Sequence, residues 1–334
     1  MFGVLKKFFL FSGKENSRKF KRSIVISLID ALASALKIPA IMCVLMGVIE
    51  GKDLGKYILG SIAIMAVSII VGILCKMSST VLQTEGGYTT AAFKRIEMAE
   101  HLRYVPMGYF NSNSIGEIAS VTTNTMENLG DVATRVVMLT THGLLETSMI
   151  ILMILLCDWR IALVSLAGVA IFLVINTVMQ NAGKQASSAK IDCDTELINQ
   201  IMEYIQGISE VKSYNLIGKQ TKRLNAANEA CVRANVKMEL VYVPYHFLQS
   251  VVTKLTGAAI IGLSAYFYIN GSMSVLYAVG MSITAFMLYG SLETMGTFSS
   301  LIHVVSVCVD KANAVLGLDT MDIDGKELNP ENHD

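Results

Sequence analysis

The chain has 334 residues, of which 53% are hydrophobic and only 16% charged, and its mean hydropathy is +0.52. Soluble domains carry about 25% charged residues, so this chain lacks the solvated shell that a soluble protein of its size needs. Its 27 basic and 27 acidic residues cancel, which removes the electrostatic case for a nucleic-acid partner. What remains is an all-α integral membrane protein.

The N-terminal tail, residues 1–22, sets Phe2, Val4, Leu5, Phe8 and Phe9 beside Lys6 and Lys7, the pattern of a short interfacial helix. Spans follow where charge is absent, since about 20 apolar residues cross the hydrocarbon layer. Residues 23–49 form the first candidate, interrupted by Asp30 and Lys37. Tyr57–Cys75 is uncharged and sets the second at 57–76. The third, 132–156, contains Arg135 and Glu146, and the fourth is the uncharged run within 161–183. Leu255–Leu292 has no charge over 38 residues and is punctuated by Asn270-Gly271-Ser272, so it divides between spans at 243–269 and 275–307. The six cysteines lie far apart with no CxxC pair, and no His pair has metal-ligand spacing. They read as packing residues, and no metal site is expected.

The loops are unequal. Three are short, whereas 77–131 and 184–242 are long. The N-terminal tail holds seven Lys and Arg and the three short loops together hold three, so the positive-inside rule puts both termini and both long excursions in the cytoplasm. The excursions have helical patterning and predict two hairpins projecting from the membrane. Ser114 to Glu117 reads as a capping box in the first. Gly207 interrupts the second, where a left-handed or closely approached backbone is expected.

Three faces carry polar side chains at helical spacing. Tyr289, Glu293, Gly296, Ser300 and His303 share one face of span six, and Arg135, Leu139, His142 and Glu146 share one face of span three. Span five adds His246, Gln249, Thr253 and, beside them, Lys254. Ionisable groups in a membrane face a partner or water. His142, Glu146, His246, Lys254, Tyr289, Glu293, Ser300 and His303 are therefore candidates for a substrate pathway, with a Glu293–Lys254 pair inside the bundle as the structural alternative.

At this point the residues resemble a known family. His101 to Phe110, with Gly116-Glu117-Ile118-Ala119-Ser120 and Asn124 to Glu127, is similar to the first intracellular loop of ABC exporter-type transmembrane domains. Gln206-Gly207-Ile208-Ser209-Glu210-Val211-Lys212-Ser213-Tyr214 resembles the second loop, and Ile269 to Ser274 resembles the external turn between spans five and six. Asn313-Ala314-Val315-Leu316 with Met321-Asp322 resembles the exit toward a nucleotide-binding domain. The resemblance implies an ATP-driven half-transporter in the plasma membrane that pairs with a second half. Residues 23–320 would form its six-helix domain and 321–334 a polar linker.

It also implies coupling tips that dock on ATPase domains. By position these are Asn111, Ser112, Asn113, Ser114, Ile115 and Gly116, then Tyr204, Ile205, Gln206, Gly207, Ile208 and Ser209. No GxxxxGK[ST] occurs, so no catalytic residue is assigned here, and ATP and magnesium are expected on a nucleotide-binding domain that follows the tail or belongs to a separate subunit. The cargo implied is a small molecule, lipid or peptide. A siderophore-type importer of the same fold and a secondary transporter are the alternatives. An intramembrane enzyme is weaker still, because no HExxH occurs.

Overall fold

The computed structural model describes residues 2–51, 54–214, 217–299 and 301–321. All regular elements among them are helical, and six helical stretches are long and apolar enough to cross a membrane. They occur at the six expected places and in the same order.

The first helix, α1 (Phe2–Phe11), is separated from α2 (Gly13–Ala35) by a sharp turn. Gly13 has φ +77°, a conformation that L side chains rarely adopt, and Ser12 closes the turn by donating from Oγ to the Phe8 carbonyl at 2.8 Å. The element boundary thus falls at Ser12–Gly13, ten residues before the start of span one read from charge. Phe8 of α1 is buried edge-on against Phe20, with ring centroids 5.4 Å apart, and Lys7 pairs with Asp310 at 2.5 Å.

Span one continues from α2 into α3 (Lys37–Glu50), with a break at Leu36 and with Pro39 in the first turn of α3. Pro39 fits there because helix-start N–H groups have no intrahelical acceptor. The second span lies within α4 (Leu54–Leu102), whose 49 residues reach about 74 Å at 1.5 Å per residue. A core of about 30 Å holds less than half of that length. Serines of α4 fasten it to span one: Ser61 donates to Ala40 O, Ser68 to Ala33 O and Ser79 to Ser23 O. Small side chains bring the backbones close enough for these bonds.

The third span is α6 (Met126–Cys157) and the fourth lies in α7 (Trp159–Gln206), joined by a turn in which Asp158 accepts from the Arg160 N–H at 2.8 Å. Between α4 and α6 lie a 3-10 turn at Met107–Tyr109, α5 (Ser112–Ser120) and a π turn at Val121–Thr125. Asn111 and Ser114 form a reciprocal cap: Ser114 N–H donates to Asn111 Oδ1, and Asn111 N–H to Ser114 Oγ, both at 2.9 Å. This corrects the expected Ser114–Glu117 box. Asn111 is the cap, one turn earlier, and Glu117 is exposed. The π turn leaves carbonyls out of register, and Arg95 of α4 donates to two of them, Thr122 O at 2.9 Å and Thr123 O at 3.1 Å.

After α7 come α8 (Ile208–Ser213) and α9 (Ile217–Ile269), which carries span five and contains Pro244. Gly207 has φ −90°, so the left-handed backbone expected there is not adopted. A Cβ would meet Glu203 O at 3.3 Å, a tight but local contact. Tyr204, Ile205 and Gln206 complete the last turn of α7, and the separate short helix starts at Ile208.

Span six is one membrane-length stretch built from α10 (Val275–Leu288), α11 (Gly290–Ser299) and α12 (Ile302–Leu316). The turn before it places Gly271 at φ +69°. Helices α7 and α9 pair along their length, as do α2 and α4, while α6 packs on α11 and α12. One apolar core, around Phe8, Phe20, Met126 and Val305, joins the N-terminal helix to spans three and six. A second, around Ile154, Phe172, Ile260 and Leu292, fills the other end.

Candidate functional site

Span six is lined on two sides by polar side chains. Ser291 and Glu293, two residues apart on α11, point to opposite sides of a helix with 3.6 residues per turn.

On the α6 side, Ser291 Oγ donates to the Glu146 carboxylate. Glu146 Oε2 lies 3.6 Å from His142 Nε2, and His142 Nδ1 lies 3.7 Å from Asp30 Oδ2 on α2. The imidazole thus sits between two carboxylates. Asp30 is buried, and with His142 and Lys76 of α4 it lines a cavity of about 140 Å³. His142 and Glu146 are therefore together, as their spacing predicts. Arg135 of the same face instead pairs with Asp131 at 3.0 Å and is exposed.

On the opposite side, Thr253 donates to Glu293 at 2.5 Å, and Lys254 Nζ stands 3.8 Å from the same carboxylate. These residues line a cavity of about 410 Å³ with Gly257, Phe286 and Tyr289. The pair anticipated as an alternative is present. Glu293 also borders open space: its side chain is 33% exposed and that of Lys254 77%.

The rest of the span-six face packs against α7 and α9. Buried Tyr289 donates to Ser165 O at 3.4 Å, and a Cβ on Gly296 would meet Phe172 at 2.8 Å and Gln249 Oε1 at 3.1 Å. His303 Nε2 is 2.7 Å from the Gln180 carbonyl. His246 Nδ1 lies 3.2 Å from Gln249 Oε1, and Gln249 donates to Asn176 at 3.4 Å. His246 and His303 contribute to these packing contacts and do not line the cavity at Glu293. Ser300 lies outside the described residues, as do the side chains of Ser112 and Asn113. Among the described residues no three His, Cys, Asp or Glu side chains converge on a metal position.

Sequence reasoning missed Asp30, Lys76 and Ser291 as members of the cluster. Asp30 carries a signal of its own, since an acidic residue in an apolar span needs a partner or water, but the partner on another span leaves no mark in the sequence.

Removing the imidazole should leave Asp30 and Glu146 facing each other without their shared partner. We expect His142→Ala to destabilise the protein by about 1–3 kcal/mol, read as a lower midpoint in detergent thermal unfolding, with His142→Gln losing less. An unchanged midpoint in the alanine variant would show that the cluster is not held by His142.

Six membrane-length helices, with long hairpins rising from two of their connections, define a multi-pass helical membrane domain. The sequence pattern of the ABC transporter transmembrane region matches residues 23–292, and the chain belongs to that family. Membership makes it the membrane-spanning part of an ABC transporter, which works within a lipid bilayer and with nucleotide-binding domains. The match stops one residue before Glu293. No curated protein matches the chain.

Proposed function

We propose that this chain is one half of an ATP-driven exporter of an amphipathic small molecule, lipid or peptide, paired with a second half in the plasma membrane. The observation that carries this reading is the chemistry of the hairpin tips. Beyond Cys75, α4 runs on for 27 residues, about 40 Å. Past its end, Met107 is 80% exposed and Ile115 53%, and Tyr214 beside α8 is 74% exposed. Apolar groups on small helices so far along the hairpins call for a protein partner, and ATPase domains are the partner the family supplies.

The chain's exit supports the same coupling. Met321 N–H donates to Tyr104 O at 2.7 Å, and His101 Nε2 lies 2.9 Å from Leu318 O. The end of span six is thereby tied to the base of the first tip. Closure of two ATPase domains would move both together, and rigid helices would carry that motion into the membrane as rocking.

The cargo reading rests on the Glu293 cavity, which sets one carboxylate and one ammonium among Gly257, Phe286 and Tyr289. Such a lining suits a molecule with an apolar body and a charged or polar group. Glu293→Gln should change cargo-stimulated ATP hydrolysis and cargo accumulation into inverted vesicles several-fold. Thermal stability should fall by no more than about 1 kcal/mol, because the pair it breaks is partly exposed. Lower stability with unchanged apparent cargo affinity would make Glu293 a packing residue. ATP-dependent uptake into right-side-out vesicles would instead establish import.

The basic N-terminal tail supports cytoplasmic termini. In a cysteine-free background, a cysteine at Glu117 should resist a membrane-impermeant thiol reagent added to intact cells, whereas one at Asn270 should react. Labelling at Glu117 would reverse the orientation.

A further inference from the structure

Helices α1, α2 and α6 enclose a groove of about 510 Å³ that the transport reading does not use. Its walls are apolar: Leu5, Phe9 and Leu10 from α1, Ile24 from α2, and Leu144 and Leu145 from α6. Leu10 is 75% exposed although the opposite face of the same helix buries Phe8. Lys6, Ser17 and Lys21 line the same groove.

The charges are distributed unevenly. Lys7 is taken by Asp310 and Lys19 by Glu85, at 2.5 and 2.7 Å. Lys6 and Lys21 have no carboxylate partner among the described residues, and none lines the groove. Thr140 also lines it, and its buried Oγ1 has no hydrogen-bond partner among the described residues.

Two ammonium groups and a hydroxyl in a groove whose other walls are mostly apolar match a molecule with an anionic head and a hydrocarbon tail. Along α6 the lining runs from Val137 to Leu145, about 12 Å, close to half the depth of a hydrocarbon core. Lys21 lies where α2 passes from its basic first turns into apolar sequence, the level at which lysines reach for phosphates. A second copy of the chain would need to bring carboxylates here, whereas a bilayer presents phosphates already.

We propose that this groove binds one anionic phospholipid, with its phosphate on Lys6 and Lys21 and an acyl chain along α6. The lipid fills the space between α1 and the bundle, and so holds the interfacial helix in place on the side away from the Lys7–Asp310 pair. The proposal does not depend on the cargo or on the direction of transport.

The test is native mass spectrometry of the complete transporter, delipidated in detergent and titrated with phosphatidylglycerol or phosphatidylcholine. Wild type and Lys14→Gln/Arg18→Gln, which removes two exposed cations outside the groove, should each retain one phosphatidylglycerol per chain. Lys6→Gln/Lys21→Gln should bind it about tenfold more weakly or worse. Ile24→Trp, which fills the groove and keeps both lysines, should also lose it. Equal retention by the two double variants, equal retention of phosphatidylcholine, or binding unchanged by Ile24→Trp would each overturn the proposal. So would efficient disulfide cross-linking between chains through cysteines at Leu10 and Leu145, which would make the groove a contact between copies.

Discussion

Ile115→Glu combined with Tyr214→Glu should lower cargo-stimulated ATP hydrolysis by the complete transporter at least about tenfold, with the membrane domain still folded. Each side chain is largely exposed in this chain, so substitution should change its stability by no more than about 0.5 kcal/mol. Docked in an ATPase groove, the same side chains would be buried, each worth about 1.5–3 kcal/mol. A carboxylate in that place also has to be desolvated. Loss from both tips therefore exceeds the 1.4 kcal/mol that a tenfold change requires. ATP hydrolysis and detergent melting should be read together: coupled hydrolysis at the wild-type rate would exclude these tips as the docking surface.

The largest stability effect is expected at Gly143. It lies on α6 where α11 crosses, and a Cβ there would stand 2.5 Å from the Ser291 carbonyl oxygen and 2.7 Å from Met295 Cβ. The first contact is with backbone, so no rotamer change relieves it. Span three and span six would have to separate, which would also pull Ser291 from Glu146 and disturb the adjoining polar cluster. Overpacking of a close-fitted core costs about 1–3 kcal/mol, and the larger figure applies where backbone must move. Gly143→Val should sharply reduce the yield of monodisperse protein and lower its unfolding midpoint, with Gly143→Ala intermediate. Normal yield and midpoint for the valine variant would mean that the α6–α11 approach is not close.

How much of this was legible in the sequence follows from the kind of signal each feature leaves. Spans are written in long apolar stretches with few or no charges, a constraint the bilayer imposes on every segment, and all six could be read even where Asp30, Lys37, Arg135, Glu146 and Lys254 interrupt them. The face joining Tyr289, Glu293, Gly296 and His303 was readable for a similar reason, because helical spacing carries over from α11 into α12. The break at Tyr289 was not, because it lies within an uncharged run with no residue that marks a helix stop other than Gly290. Local caps depend on which of several polar residues folds back, and Asn111-Ser112-Asn113-Ser114 offers four. Gly207 gave the position of a helix stop correctly, but a glycine does not state its own φ. The Asp30–His142–Glu146 cluster joins spans one and three, and sequence spacing within a single helix cannot show which residues of another helix come to meet it.

In the proposed transporter the two short helices dock on ATPase domains and pass their motion to the spans. Photo-cross-linking residues placed at Ile115 and Tyr214 of the complete transporter would test it directly in membranes. Each position should cross-link to an ATPase domain, with a yield that changes when ATP is trapped at the nucleotide sites. Cross-links only to lipid, or none to an ATPase domain in any nucleotide state, would contradict it.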